Sequence, residues 1–122
     1  LIVQDQVSGV NRFDTSNNAN WTIEQIKIEQ ILASGELSAP VQMPEVITTG
    51  KGKMLVLITS RSYAFDEGFS KIKVSWPDNT SDIFKIHFED AEIDNRITTI
   101  DMNEEPIWPA KNDTRTNSII NK

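Results

Sequence analysis

Gly50-Lys51-Gly52-Lys53, inside "ITTGKGKMLVL", has the residue types that grip phosphate. A P-loop needs GxxxxGK followed by Ser or Thr, set between a strand and a helix whose first amides meet the anion. If Lys53 takes the lysine place, Ile47 stands where the first glycine belongs; if Lys51 takes it, Glu45 does. The residues after the two lysines are Met54 and Gly52, so the hydroxyl that would hold magnesium is missing. Met54 to Ile58 is an apolar run too short and too β-prone for the helix. The segment reads as a flexible turn between two strands, and nucleotide binding drops out.

Other chemistries meet similar gaps. Asp78, Thr80, Asp82 and Glu89 stand at positions one, three, five and twelve of an EF-hand loop, but position six, which needs glycine, is Ile83. In "EDAEID", Glu89, Asp90, Glu92 and Asp94 could converge on a hard cation such as Ca2+ at a sandwich end; the competing reading is solvated surface charge. No other cofactor is expected. His87 is the only histidine and there is no cysteine, so zinc sites and Ser-His-Asp chemistry lack parts. Paired carboxylates could hydrolyse a glycosidic bond, but their abundance makes the idea unspecific, and 122 residues leave little wall for a cleft. With no assembled acid–base or nucleophile set, the chain is expected not to be an enzyme. Trp21, Trp76, Trp108 and Tyr63 could stack on sugar rings. Trp76 continues the Ile72–Val74 face and Trp21 is in phase with Ile23, which reads as core packing. Tyr63 and Trp108, in loop-like contexts, remain as candidate ligand-binding residues.

The elements that must position these residues follow from composition and periodicity. A chain of 122 residues with 38% apolar and 25% charged residues is a single globular domain by length and content. A net charge of -6 argues against nucleic-acid binding, and the five-residue apolar run Met54–Ile58 is far below the roughly 20 residues of a membrane span. Leu1 stands where an initiator Met would, so the chain reads as processed or as a piece of a longer one. Ile72, Val74 and Trp76 alternate with Lys71, Lys73 and Ser75; Phe84, Ile86 and Phe88 alternate with Lys85, His87 and Glu89. Two half-buried strands, 69–76 and 83–89, therefore flank the turn formers "PDNTSD". In "WTIEQIKIEQIL" the apolar residues scatter on a helical wheel, although Thr22 and Gln25 have capping-box spacing. A long strand with a bulge near Glu24-Gln25 sorts them better. Leu37, Ala39, Val41 and Met43 alternate too, with Pro40 and Pro44 confining them to a sheet edge or extended loop. Ile97, Ile100 and Met102 predict one more strand. The unbroken run Met54–Ile58 should be covered on both faces, the second by an arm or another subunit.

"VITTGKGKMLVLITSRSYAFDEGFSKIKVSW" followed by "DIFKIHFED" shows a Thr-Gly loop, a "VLVL"-type core strand, a Ser/Tyr-containing loop, then a strand with its hairpin. Over about residues 45–90 this order resembles the C1q/TNF-like jelly-roll head domains of bacteriophage tail and head fibres. The resemblance implies a homotrimeric virion or extracellular recognition head without catalytic residues. The short chain and the Pro/Asn-rich C-terminal arm depart from the pattern.

The expectation is an all-β, antiparallel, jelly-roll-like β-sandwich of about eight strands. It spans 1–102, with 1–20 as an N-terminal arm and 103–122 as a C-terminal arm or linker. The expected function is non-catalytic recognition or assembly in a virion or secreted assembly. The chain would be a homo-oligomer, a trimer by preference, with a glycan or host-surface ligand and neither nucleic-acid binding nor membrane insertion. A carbohydrate-binding module using exposed aromatics is the alternative. A decorating or pilus-like subunit whose arms wrap a neighbour is a third reading. Calorimetric titration with ATP–Mg and with zinc is expected to show no saturable heat; a submicromolar site for either would overturn the exclusions made above.

Overall fold

The computed structural model describes residues 1–16, 20–40, 43–57, 68–88, 97–108 and 119–122. Ten strands run through them: β1 (Ile2–Gln4), β2 (Lys27–Ile31), β3 (Leu37–Ser38), β4 (Glu45–Thr49), β5 (Gly52–Val56), β6 (Phe69–Ser75), β7 (Ser81–Phe88), β8 (Ile97–Met102), β9 (Glu105–Trp108) and β10 (Ile119–Asn121). One 3-10 turn, Ile23–Gln25, precedes β2, and there is no α-helix among the described residues.

The period-two segments build the larger layer, a six-stranded antiparallel sheet in the order β3-β2-β6-β7-β8-β9. β6 and β7 pair from Phe69↔His87 to Ser75↔Ser81, so their alternation acts in phase and buries Ile72, Val74, Phe84 and Ile86 on one face. The connection is made by the residues expected to turn. Pro77 presets its φ, the Asn79 N–H donates to the Trp76 carbonyl at 3.1 Å, and Asn79 takes the left-handed conformation at φ 67°. Between β8 and β9 a two-residue loop has Asn103 and Glu104 at φ 52° and 73°. This is the backbone of a type I′ turn, which matches the right-handed twist of a hairpin.

A second layer faces this sheet. It comprises the antiparallel β4–β5 hairpin and the parallel pair β1–β10. The two meet where Leu1 and Leu55 exchange backbone hydrogen bonds, both 2.8 Å. Val3, Phe13, Leu55 and Ile120 then pack with Ile26, Ile28, Ile72, Val74, Trp76 and Phe84 in one hydrophobic cluster. The architecture is an all-β sandwich.

Three expectations change. Residues 21–32 do not form one bulged strand: Trp21 lies in coil, Ile23–Gln25 make the 3-10 turn, and only Lys27–Ile31 are strand. Gln25 is the cause, because its Oε1 accepts the Thr22 N–H at 3.0 Å and closes the turn that capping-box spacing foreshadows. The two ends are not arms where they are described. β1 pairs with β10 and buries Val3, Phe13 is also core, and β9 pairs with β8 while Ile107 packs on the core. Pairing edge N–H and C=O groups and burying single apolar anchors outweighs the weak periodicity of these stretches. Finally, Met54 and Leu55 point to opposite faces of β5 and both are buried, so this part of the apolar row is covered within the chain and gives no reason to invoke a neighbour. Ile58 and Val41 lie outside the described residues.

Leu55 is fully buried in the central cluster, so Leu55→Ala is expected to cost about 3 kcal/mol in urea unfolding. Met54→Ala should also destabilise, by about 2 kcal/mol; an unchanged midpoint would mean that the second face of β5 is wet.

Candidate functional site

The alternation of β7 turns an acid inward. Asp82 shares the face of Phe84 and Ile86 and is buried. Its Oδ2 accepts the Trp76 Nε1–H at 2.6 Å and meets Lys122 Nζ at 3.0 Å, while Oδ1 accepts from Asn103 Nδ2 at 2.7 Å. Burial pushes this carboxyl up, but the bonds from Asn103, Lys122 and Trp76 outweigh it and hold the group below the usual carboxylate range. Gln30 and Ser70 are inward polar residues of the same sheet; Gln30 Nε2 donates to Ser70 Oγ and to the Lys71 carbonyl, both at 2.8 Å.

The tryptophans are engaged as well. Trp21 stacks on Trp76 with centroids 5.8 Å apart, and the Arg12 guanidinium lies 4.7 Å from the Trp21 centroid. Arg12 Nε and Nη2 both donate to the Lys122 carbonyl, and Nη2 meets Asp5 Oδ2 at 2.9 Å. Beside Trp21 runs an open groove of about 420 Å³, lined by Phe13, Ile23, Glu45, Val46 and Lys53 among others. Lys53 Nζ donates to Thr48 Oγ1 at 2.6 Å.

Among the described residues the outer face of the six-stranded sheet gathers polar and charged side chains in rows. In register across β2, β6, β7 and β8, the row Ile31, Lys71, Lys85, Asp101 lies beside the row Glu29, Lys73, Ile83. Next along come Phe69, His87 and Thr99 on one side and Lys27, Ser75 and Ser81 on the other. Lys85 Nζ sits 4.0 Å from the Phe69 centroid and Lys71 Nζ 5.7 Å, so two ammoniums share one ring. His87 Nε2 lies 3.1 Å from Asp101 Oδ2, and the His87 ring tilts against Phe69 with centroids 5.8 Å apart. Lys27 and Glu29 approach to 3.8 Å. This face is the candidate site. It can bind through charge, cation–π contact and hydroxyls.

The predicted site residues fare unevenly. Tyr63, Glu89, Asp90, Glu92 and Asp94 lie outside the described residues, so the acidic stretch "EDAEID" gains no geometry. Trp108 stands in β9, in register with Ile100, rather than in a loop. Among the described residues no three His, Asp or Glu side chains come together as metal ligands. Gly50-Lys51 is the turn of the β4–β5 hairpin; Thr49 Oγ1 donates to the Gly52 carbonyl at 3.1 Å and accepts the Lys51 N–H at 3.1 Å. Among the described residues no helix is long and apolar enough to cross a membrane. The lysines of the outer face were legible one strand at a time. The signal that joins them is the turn at 76–80, which fixes Lys71 opposite Lys85. No protein-family model, curated protein or solved structure matches the chain.

The lowered carboxyl of Asp82 sets a sign for acid stability. A depressed native value contributes stability that is complete above the unfolded value, near 3.8, and is lost as pH falls through the native one. Asp82→Asn is expected to lose about 3 kcal/mol at neutral pH and to flatten the fall in stability below about pH 4. Backbone donors from Ser8 and Ser16 hold Asp5 and Asp14 low as well, so the slope should shrink and not vanish. Urea midpoints between pH 7 and pH 2 measure this; an Asp82→Asn slope equal to the parent's would remove Asp82 from the acid response.

Proposed function

We propose that the chain is a non-catalytic recognition or assembly domain of a virion fibre, head or decoration protein, or of a secreted assembly. The observation that supports it most is the use made of the buried polar side chains described. Gln30 and Ser70 join β2 to β6, and Asp82 joins β7 to the β8–β9 turn and to Lys122 beyond β10. These groups hold strands together instead of converging on a cleft, and lysines, hydroxyls and carboxylates stand in rows on the outer face of the six-stranded sheet. Such a surface suits recognition of an extended partner. The resemblance to C1q/TNF-like heads over residues 45–90 supports the same reading and adds a homotrimer in a virion or extracellular setting. Leu37, Met43 and Ile47, exposed apolar residues on or near β3 and β4, are surface that a second subunit would cover.

Light scattering at micromolar concentration is expected to give three times the 13.8 kDa chain mass. A strict monomer would sink the trimer, and a monomer that also bound nothing on host-cell surfaces or a glycan array would sink the recognition reading. Glycan-array binding by a monomer that is lost in Tyr63→Ala or Trp108→Ala would favour the carbohydrate-binding module instead.

A further inference from the structure

We infer that the outer face of the six-stranded sheet binds an anionic polysaccharide, through Lys27, Lys71, Lys73 and Lys85. The inference rests on the recognition reading and names its ligand class. It begins with a charge imbalance. Among the described residues of its paired strands, four lysines stand against Glu29 and Asp101, a local excess of two positive charges in a chain whose net charge is -6. Positive charge is thus gathered on one surface of an acidic protein, and it attracts anions locally.

The arrangement within the face points the same way. Lys71 stands directly opposite Lys85 in the antiparallel ladder, a like-charge pair that weakens a sheet. Phe69 holds both ammoniums by its ring, keeping them together on the surface. Lys73 and Lys85 make no ion pair with any described residue, although Glu29 and Asp101 are their neighbours in register. Cross-strand neighbours lie about 4.8 Å apart and alternate residues along a strand about 6.8 Å apart. A polymer with charges repeated along its length therefore meets several lysines at once, whereas a single small anion meets one.

Two features favour a sugar polymer over other polyanions. Ser75, Ser81 and Thr99 share the face and offer hydroxyls to sugar hydroxyls, and Glu29 and Asp101 can accept hydrogen bonds from them. Among the described residues the face presents no arginine, and its Phe69 ring is only 9% exposed and cannot stack on bases. Among the described residues the carboxylates Asp5, Asp14, Glu24, Glu36 and Asp78 stand one by one on turns and connections, which makes a second copy of the chain the weaker occupant.

The test uses the full chain, immobilised heparin and polygalacturonate as anionic polysaccharides, dextran as the neutral control, and single-stranded DNA. The parent is expected to bind both anionic polysaccharides at low ionic strength, to ignore dextran, and to be released by about 0.3 M NaCl. Lys73→Glu/Lys85→Glu should weaken binding by about tenfold or more, while Lys51→Glu, at the β4–β5 turn, should stay within about twofold. Thermal melts check folding, and Lys73→Gln/Lys85→Gln replaces the reversed pair if that one melts early. No binding to either anionic polysaccharide, an equal loss in Lys51→Glu, or tighter binding to DNA would overturn the inference. So would self-association abolished by the double variant, which would give the face to a second copy. Each of these outcomes leaves a trimer or another surface ligand intact, so the inference can fail while the recognition reading stands.

Discussion

The Asp82 carboxylate holds three distant parts of the chain at one point. Trp76 begins the β6–β7 turn, Asn103 begins the β8–β9 turn, and Lys122 follows β10, and all three place a donor on this group. A buried carboxylate is costly unless its lone pairs are filled by such donors, so each partner is ordered by the same requirement. Asn103 also returns its Oδ1 to the Ile83 N–H at 2.9 Å, which fixes a residue that already sits at positive φ. β10 depends on this point most. Three residues in a parallel pair offer few hydrogen bonds against about 1–2 kcal/mol of backbone entropy per ordered residue. Burial of Ile120 and the Lys122–Asp82 contact supply what the ladder lacks.

The contacts around Asp82 close into a ring. Lys122 gives its carbonyl to Arg12, the Arg12 guanidinium lies against Trp21, Trp21 stacks on Trp76, and Trp76 donates back to Asp82. Asp5 extends the ring by bonding Arg12 while capping the Val7 and Ser8 N–H groups at 2.9 and 2.7 Å. The N-terminal segment, the coil before β2, the central hairpin and the C-terminal strand are thereby located relative to one another by side chains. That arrangement explains why the tryptophans at 21 and 76 behave as structure rather than as sugar platforms.

Much of the fold was legible because its long strands alternate. Ile72 and Val74 of β6 with Trp76 just beyond it, and Phe84, Ile86 and Phe88 of β7, stand in phase around a turn with its own chemistry, and local pattern is enough for such a pair. The short elements were not legible for equally physical reasons. Over three or four residues, as in β1, β9 and β10, a period of two cannot be told from chance, and what holds these strands is pairing with residues far along the chain. Gln30 and Asp82 break the apolar pattern of faces that are in fact buried, because their partners, Ser70, Trp76, Asn103 and Lys122, can be named only once the sheet is assembled. At the β8–β9 turn, Asn103 was a usable signal for φ > 0, but Glu104 in place of glycine masked the familiar pair. Of the candidate site, the lysines were visible and their adjacency was not.

The two faces of the large sheet thus follow different rules. The inner face admits polar groups only where every one is paired, since an unpaired group there would cost as much as a lost core contact. On the outer face water screens charge, so a Lys71–Lys85 pair is tolerated at a small penalty. Stability leaves that face largely unconstrained because the ring of contacts around Asp82 and the apolar cluster fix the fold from the inside. Among the described residues that face keeps Lys71 and Lys85 side by side at the ring of Phe69, and in a chain of net charge -6 such a local excess of lysine attracts groups of the opposite sign.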